Sequence, residues 1–235
     1  MFPLTHIYCS KRIDSNSTPD LLYGSIFPDI PITGIISWDK MKTETEKFSS
    51  YIKEHYPDLK NFAEGLLLHE SPNGIDRFVH GENGFAYING RYILDDIAKY
   101  FPKKSIDAAH SFIEFAVEIL LVEKSPNLQA DIASVLLWST ENLNQLAEAF
   151  GKFFNLDNEK AIKTINEFNN FLLKIDLSTR DKAVLFYTDL TNQLRNTNYS
   201  EDIIKILLEK SLDTIKNDYE IFLEQSILKC KTDKT

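Results

Sequence analysis

Apolar side chains recur at three- and four-residue spacings along much of the chain, the period of a helix that buries one face. The pattern is plainest from residue 130 to 231. Ile132, Val135 and Leu136 form one stripe; Leu143, Leu146, Ala147 and Phe150 form the next, with Gly151 in the place of a C-cap. Asp157 or Asn158 then opens a helix through Ile162, Ile165, Phe168, Leu172 and Ile175. The run Ser178-Thr179-Arg180-Asp181 opens another, carrying Val184, Leu185, Tyr187 and Leu190. Ser200-Glu201-Asp202 opens a last long helix that is expected to reach Leu223, with a charged, fraying tail from Lys229 to Thr235.

The first 130 residues are less regular. All eight prolines and seven of the eight glycines lie there. Pro57 stands where the first turn of a helix through Phe62, Leu66 and His69 begins. Ser105 caps a helix to about Glu123 with Ala109, Phe112, Ile113, Ala116, Ile119 and Leu120 on its apolar face. The segment from Phe85 to Ile93 reads as a short hairpin about Asn89-Gly90, followed by a helical stretch from Leu94 to Tyr100. The expectation is an all-α protein with a loop-rich half that carries the site, residues 1–125, and a helical region packed on it, residues 126–235, the two forming either separate regions or one single domain.

Composition narrows the function. The 235 residues are 43% hydrophobic, enough for a sizeable core, and carry a net charge of -9. An acidic chain lacks the basic footprint that duplex nucleic acid needs. No apolar run approaches a transmembrane segment, and no basic start with an apolar run marks a secretory signal, so a cytoplasmic protein is expected. Cys9 and Cys230 stand almost a full chain apart, which argues against a disulfide scaffold.

All five histidines, His6, His55, His69, His80 and His110, fall in the first 110 residues. His110 and Glu114 are four apart on one helix, so both point the same way, one turn from each other. Asp76 and His80 have the same spacing on a short helical turn, and Asp29 lies between prolines in Ile26-Phe27-Pro28-Asp29-Ile30-Pro31. Mixed sets of imidazole and carboxylate suit zinc, with manganese or iron as further divalent candidates. Two such ions side by side clamp a phosphodiester and activate water. Taken singly, each pair is also what an ordinary helix surface offers, and His55 in Lys53-Glu54-His55-Tyr56 has the setting of a solvated residue. Phe27, Trp38, Phe78 and Tyr87 are candidates for the pocket wall as well as for the core.

The order of the pieces carries further information. Thr5-His6, then Gly24-Ser25-Ile26-Phe27-Pro28-Asp29, then Gly65-Leu66-Leu67-Leu68-His69, His80, and His110-Ser111-Phe112-Ile113-Glu114 together resemble the zinc-dependent phospholipase C family, relatives of the single-strand-specific zinc nucleases. The resemblance covers roughly residues 1–123. It implies an all-α bundle, with a helical C-terminal extension here, and hydrolysis of phosphodiesters by a metal-bound water at clustered zinc ions. By position, His6, Asp29, His69, His80, His110 and Glu114 match the family's ligands, and His55 is the candidate for the histidine that follows the aspartate. The family's bridging aspartate falls at Asn73, after Pro72, and Asp76 is the candidate replacement. The family's N-terminal tryptophan is absent from the Met1-Phe2 start, so one or two ions are expected rather than three. Asp29 is also the candidate general base. The implied substrate is a small phosphodiester or a phospholipid headgroup; oligomeric state is not legible. The alternative is a non-catalytic helical protein with a degenerate metal site that acts through protein contacts.

Overall fold

Helix starts in this chain follow local chemistry. Pro3 and Pro19 occupy first turns, where a missing N–H costs nothing. Ser37, Asp157 and Thr179 each accept a hydrogen bond from the backbone three residues on. Asn155 and Asn196 adopt left-handed φ angles of 58° and 50° and end their helices.

A computed structural model describes residues 2–70, 74–80, 83–103 and 105–232. Among them the chain forms α1 Pro3–Ile13, α2 Pro19–Ile26, α3 Trp38–His55, α4 Lys60–Glu70, α5 Asp76–Val79, α6 Phe85–Ala98 and α7 Ser105–Lys124. The second half follows as α8 Leu128–Glu141, α9 Leu143–Phe154, α10 Asn158–Leu173, α11 Arg180–Arg195, α12 Glu201–Ile215 and α13 Tyr219–Thr232. Two 3-10 helices, η1 Phe27–Thr33 and η2 Pro57–Leu59, complete the order, and no strand occurs among the described residues. The protein is all-α. No helix among the described residues is long and apolar enough to cross a membrane.

The core draws on both halves. Phe27 of η1 meets Phe62 of α4 at 5.1 Å, Phe150 of α9 at 5.5 Å and Phe168 of α10 at 6.2 Å between ring centroids. Aromatic pairs in this range add to the area they bury. The Tyr23 hydroxyl, buried with them, donates to Asn169 Oδ1 at 2.9 Å, so the polar tip is satisfied.

Two close approaches place the site. A Cβ on Gly24 of α2 would stand 2.1 Å from the Phe62 carbonyl oxygen, and one on Gly65 of α4 would stand 2.1 Å from that of Leu21. Glycine at both points lets α2 and α4 touch backbone to backbone, which sets the end of α4, with His69, beside Ser25 and η1. Gly90 of α6 does the same against Ala109 and the His110 backbone N–H of α7, the latter 3.2 Å from where a Cβ would lie.

That contact explains one correction. The hairpin expected about Asn89-Gly90 is the middle of α6, where Ala86, Asn89, Gly90, Ile93 and Ile97 are buried at helical spacing. Asn89 donates to the Phe85 carbonyl one turn back at 2.9 Å, so a turn-forming pair is held helical by packing on α7. Gly151 is likewise inside α9, which runs on to Phe154 and stops at Asn155. The long final helix is two, because Asp218 bonds back to Ile215 at 2.9 Å and Tyr219 opens α13, whose Phe222 stacks on Phe85 at 4.2 Å.

Candidate metal centre

Five elements deliver the site side chains. His6 comes from α1, Asp29 from η1, His69 from the last turn of α4, Asp76 from the start of α5 with His80 just after its end, and His110 and Glu114 from α7. Each placement has a local cause. His69 Nδ1 donates to the Ser25 carbonyl at 2.8 Å, which turns Nε2 inward. Ile75 N–H bonds to the Leu68 carbonyl at 2.9 Å and fixes α5 against the end of α4. The His80 N–H closes α5 on the Asp76 carbonyl at 2.9 Å, so the i, i+4 pair faces one way.

The inward atoms form two groups, His6 with His69 and Asp76, and His80 with His110 and Glu114; within each, the ligand atoms lie within 4.8 Å of one another. Asp76 stands between them. Its Oδ1 is 3.3 Å from His6 Nε2, and its Oδ2 is 3.4 Å from His69 Nε2 and 3.0 Å from His80 Nε2. Glu114 Oε1 is 3.3 Å from His80 Nε2 and 3.2 Å from His110 Nε2. Asp29 Oδ1 lies 3.8 Å from His69 Nε2 on the first group's side. His6 and His69 stack at 3.8 Å with planes 10° apart.

These spacings fit cation ligation. Four ligands at about 2.0–2.1 Å around a tetrahedral ion are about 3.3–3.4 Å from one another. His6 Nδ1 and Asp29 Oδ2 are buried with no hydrogen bond. Buried polar atoms left this way are costly unless something else engages them. Donor chemistry agrees: two imidazoles and a carboxylate in each group, with the Asp76 carboxylate also beside His80 of the second, is a set suited to zinc.

The electrostatics are those of a packed charge cluster. Burial and the neighbouring His69 push His6 down to about 3. Burial opposes charge on His69 too, but Asp76 and Asp29 outweigh it and hold this ring up to about 9. Burial raises Asp29 to about 6. Burial also opposes ionisation of Asp76 and Glu114, yet the positive charges around them, the imidazoles included, hold both carboxyls well below their usual range. Four imidazoles and three acids lie this close, at 1% to 9% exposure for six of the seven, a buried set that could hold metal ions.

A cavity of about 530 Å³ opens over the groups. Asp29, Asp76, His80, His110 and Glu114 form its polar floor, with Phe2, Trp38, Tyr87, Phe171 and Leu194 on its walls. Of the four aromatic candidates, Trp38 and Tyr87 line this cavity, Phe27 is core, and Phe78 faces a separate groove.

The structure thus brings together seven of the eight residues singled out from the sequence. The eighth is a correction: His55 ends α3 with its side chain 49% exposed, 4.5 Å from the Tyr51 ring, and belongs to neither group. The polar face of α3 points it at solvent. Asn73 lies outside the described residues, and Asp76 stands between the two groups. Sequence reasoning missed Glu70, whose Oε1 is 3.8 Å from His69 Nε2 and which lines the cavity; its one signal was adjacency to His69. It also missed Glu118, four residues beyond Glu114 on α7 and fully buried. The fold and site define an all-α protein with two adjoining groups able to hold metal ions. No family model, curated protein or solved structure matches the chain.

Proposed function

We propose that the protein is a metal-dependent phosphodiester hydrolase. The observation that carries this is the position of Asp76, one carboxylate within 3.0–3.4 Å of imidazoles from both groups. A carboxylate so placed joins two neighbouring cation sites, the arrangement that suits phosphoester cleavage. His6, His69, Asp76 and Asp29 would hold one ion, and His80, His110, Glu114 and Asp76 the other. Divalent ions there would supply Lewis acidity and lower the pKa of water. Zinc fits this ligand set best; manganese and iron are the other candidates.

The chain's own residues do the rest. Asp29, whose Oδ2 is buried and without a hydrogen bond, would accept a proton from the attacking water. Trp38, Tyr87 and Phe171 exclude solvent and offer flat apolar surface to the alcohol portion of a small phosphodiester or phospholipid headgroup. The resemblance to zinc-dependent phospholipase C supports the same reading, because the residues that carry it are those that converge.

Turnover of bis(p-nitrophenyl) phosphate by protein reconstituted with zinc tests the proposal. Activity should fall by about 100-fold or more in His110→Ala. A protein that binds its ions and cleaves no phosphodiester would instead be the non-catalytic helical protein with partner contacts.

A further inference from the structure

α1 begins in the protein interior. Pro3, Leu4 and Thr5 are buried, and Phe2 offers no side chain to cap the free N–H groups of the first turn. A helix start without partners is costly to bury. Here the partner comes from 113 and 114 residues away. Glu118 of α7, 0% exposed, accepts hydrogen bonds from Leu4 N–H at 3.1 Å, Thr5 N–H at 2.5 Å and the Thr5 hydroxyl at 2.5 Å. The carboxylate also sits at the positive end of α1.

His6 follows Thr5 directly. His110, Glu114 and Glu118 occupy positions i, i+4 and i+8 of α7, so one stripe of that helix supplies two residues of the second group and the clamp on α1. Ligand positions in a metal site must be held to within a few tenths of an ångström, by partners outside the ligand set.

We infer that Glu118 is a positioning residue for the metal centre: by clasping the first turn of α1 it sets His6 in register with the second group, and so tunes the first ion site without touching either ion. The inference rests on the metal reading above.

The test uses the full-length protein and zinc alone. Wild type should bind about two ions per chain, and His110→Ala should leave about one, held by the first group. In that His110→Ala background, Glu118→Gln should weaken the remaining ion about 10-fold or more, with unchanged far-ultraviolet helicity. In the otherwise wild-type chain, Glu118→Gln should weaken one ion and leave the other at wild-type affinity. Thr5→Val, which removes one of the three hydrogen bonds, should weaken the same ion less. If Glu118→Gln does not fold, Thr5→Val in both backgrounds decides. Unchanged affinity, or equal loss at both ions, overturns the positioning role. A wild type that binds no zinc overturns the metal reading itself.

Discussion

Asp76 lies near three imidazoles, drawn from both groups, through two oxygens. Replacing it by asparagine keeps the shape and removes the charge. Asp76→Asn should therefore weaken zinc by about 100-fold at one or both sites with helicity intact; two ions at wild-type affinity, by calorimetric titration, would contradict this. The protons of the cluster make a second prediction. Burial works against charge on His69 and His80, but Asp76 with Asp29, and Asp76 with Glu114, hold both rings above the ordinary imidazole value, His69 up to about 9. The unfolded chain releases these protons near pH ~6.5. Between that pH and about 9 the folded, cation-free protein binds more protons than the unfolded chain, so its stability is greatest below the window and falls through it. A cation that takes the place of the His69 proton removes the fall. Urea unfolding at both ends of the window, with and without stoichiometric zinc, measures it; no loss in the cation-free protein would count against the assignment.

At the scale of elements, the site depends on helices meeting at glycine. Gly65→Ala would drive a Cβ to 2.1 Å from the Leu21 carbonyl, a backbone group that cannot rotate away. α2 and α4 must then part. The cost should be about 1–3 kcal/mol, offset by up to ~1 kcal/mol of better helix propensity, and zinc affinity should drop because His69 moves from Ser25. An unchanged melting temperature would show that the contact is looser than described. Much at this scale was legible in the sequence. α10 and α11 follow from capping residues and apolar spacing, because an amphipathic surface helix is specified locally. α6 was not legible: Asn89-Gly90 is a turn signal by itself, and the reason it is helical lies on α7, twenty residues away. The site divides the same way. His110 with Glu114 and Asp76 with His80 were visible because helical spacing alone makes each pair face together. Glu118 was hidden because its partners, Leu4 and Thr5, are brought to it by tertiary structure.

At the scale of the whole molecule, the ligands belong to the first half while the cavity does not. Phe171 of α10 and Leu190 and Leu194 of α11 close its wall, so the helical half shapes what can approach the two groups. The aromatic core that joins Phe27 and Phe62 to Phe150 and Phe168 keeps it in place.

The most direct measurement is metal content of the full chain, purified without chelator or metal-affinity tag and then equilibrated with limiting zinc. Two groups sharing Asp76 predict about two ions per chain, falling to about one in His110→Ala. Fewer than about 0.1 ion per chain in the wild type would contradict the metal centre, and the hydrolase with it.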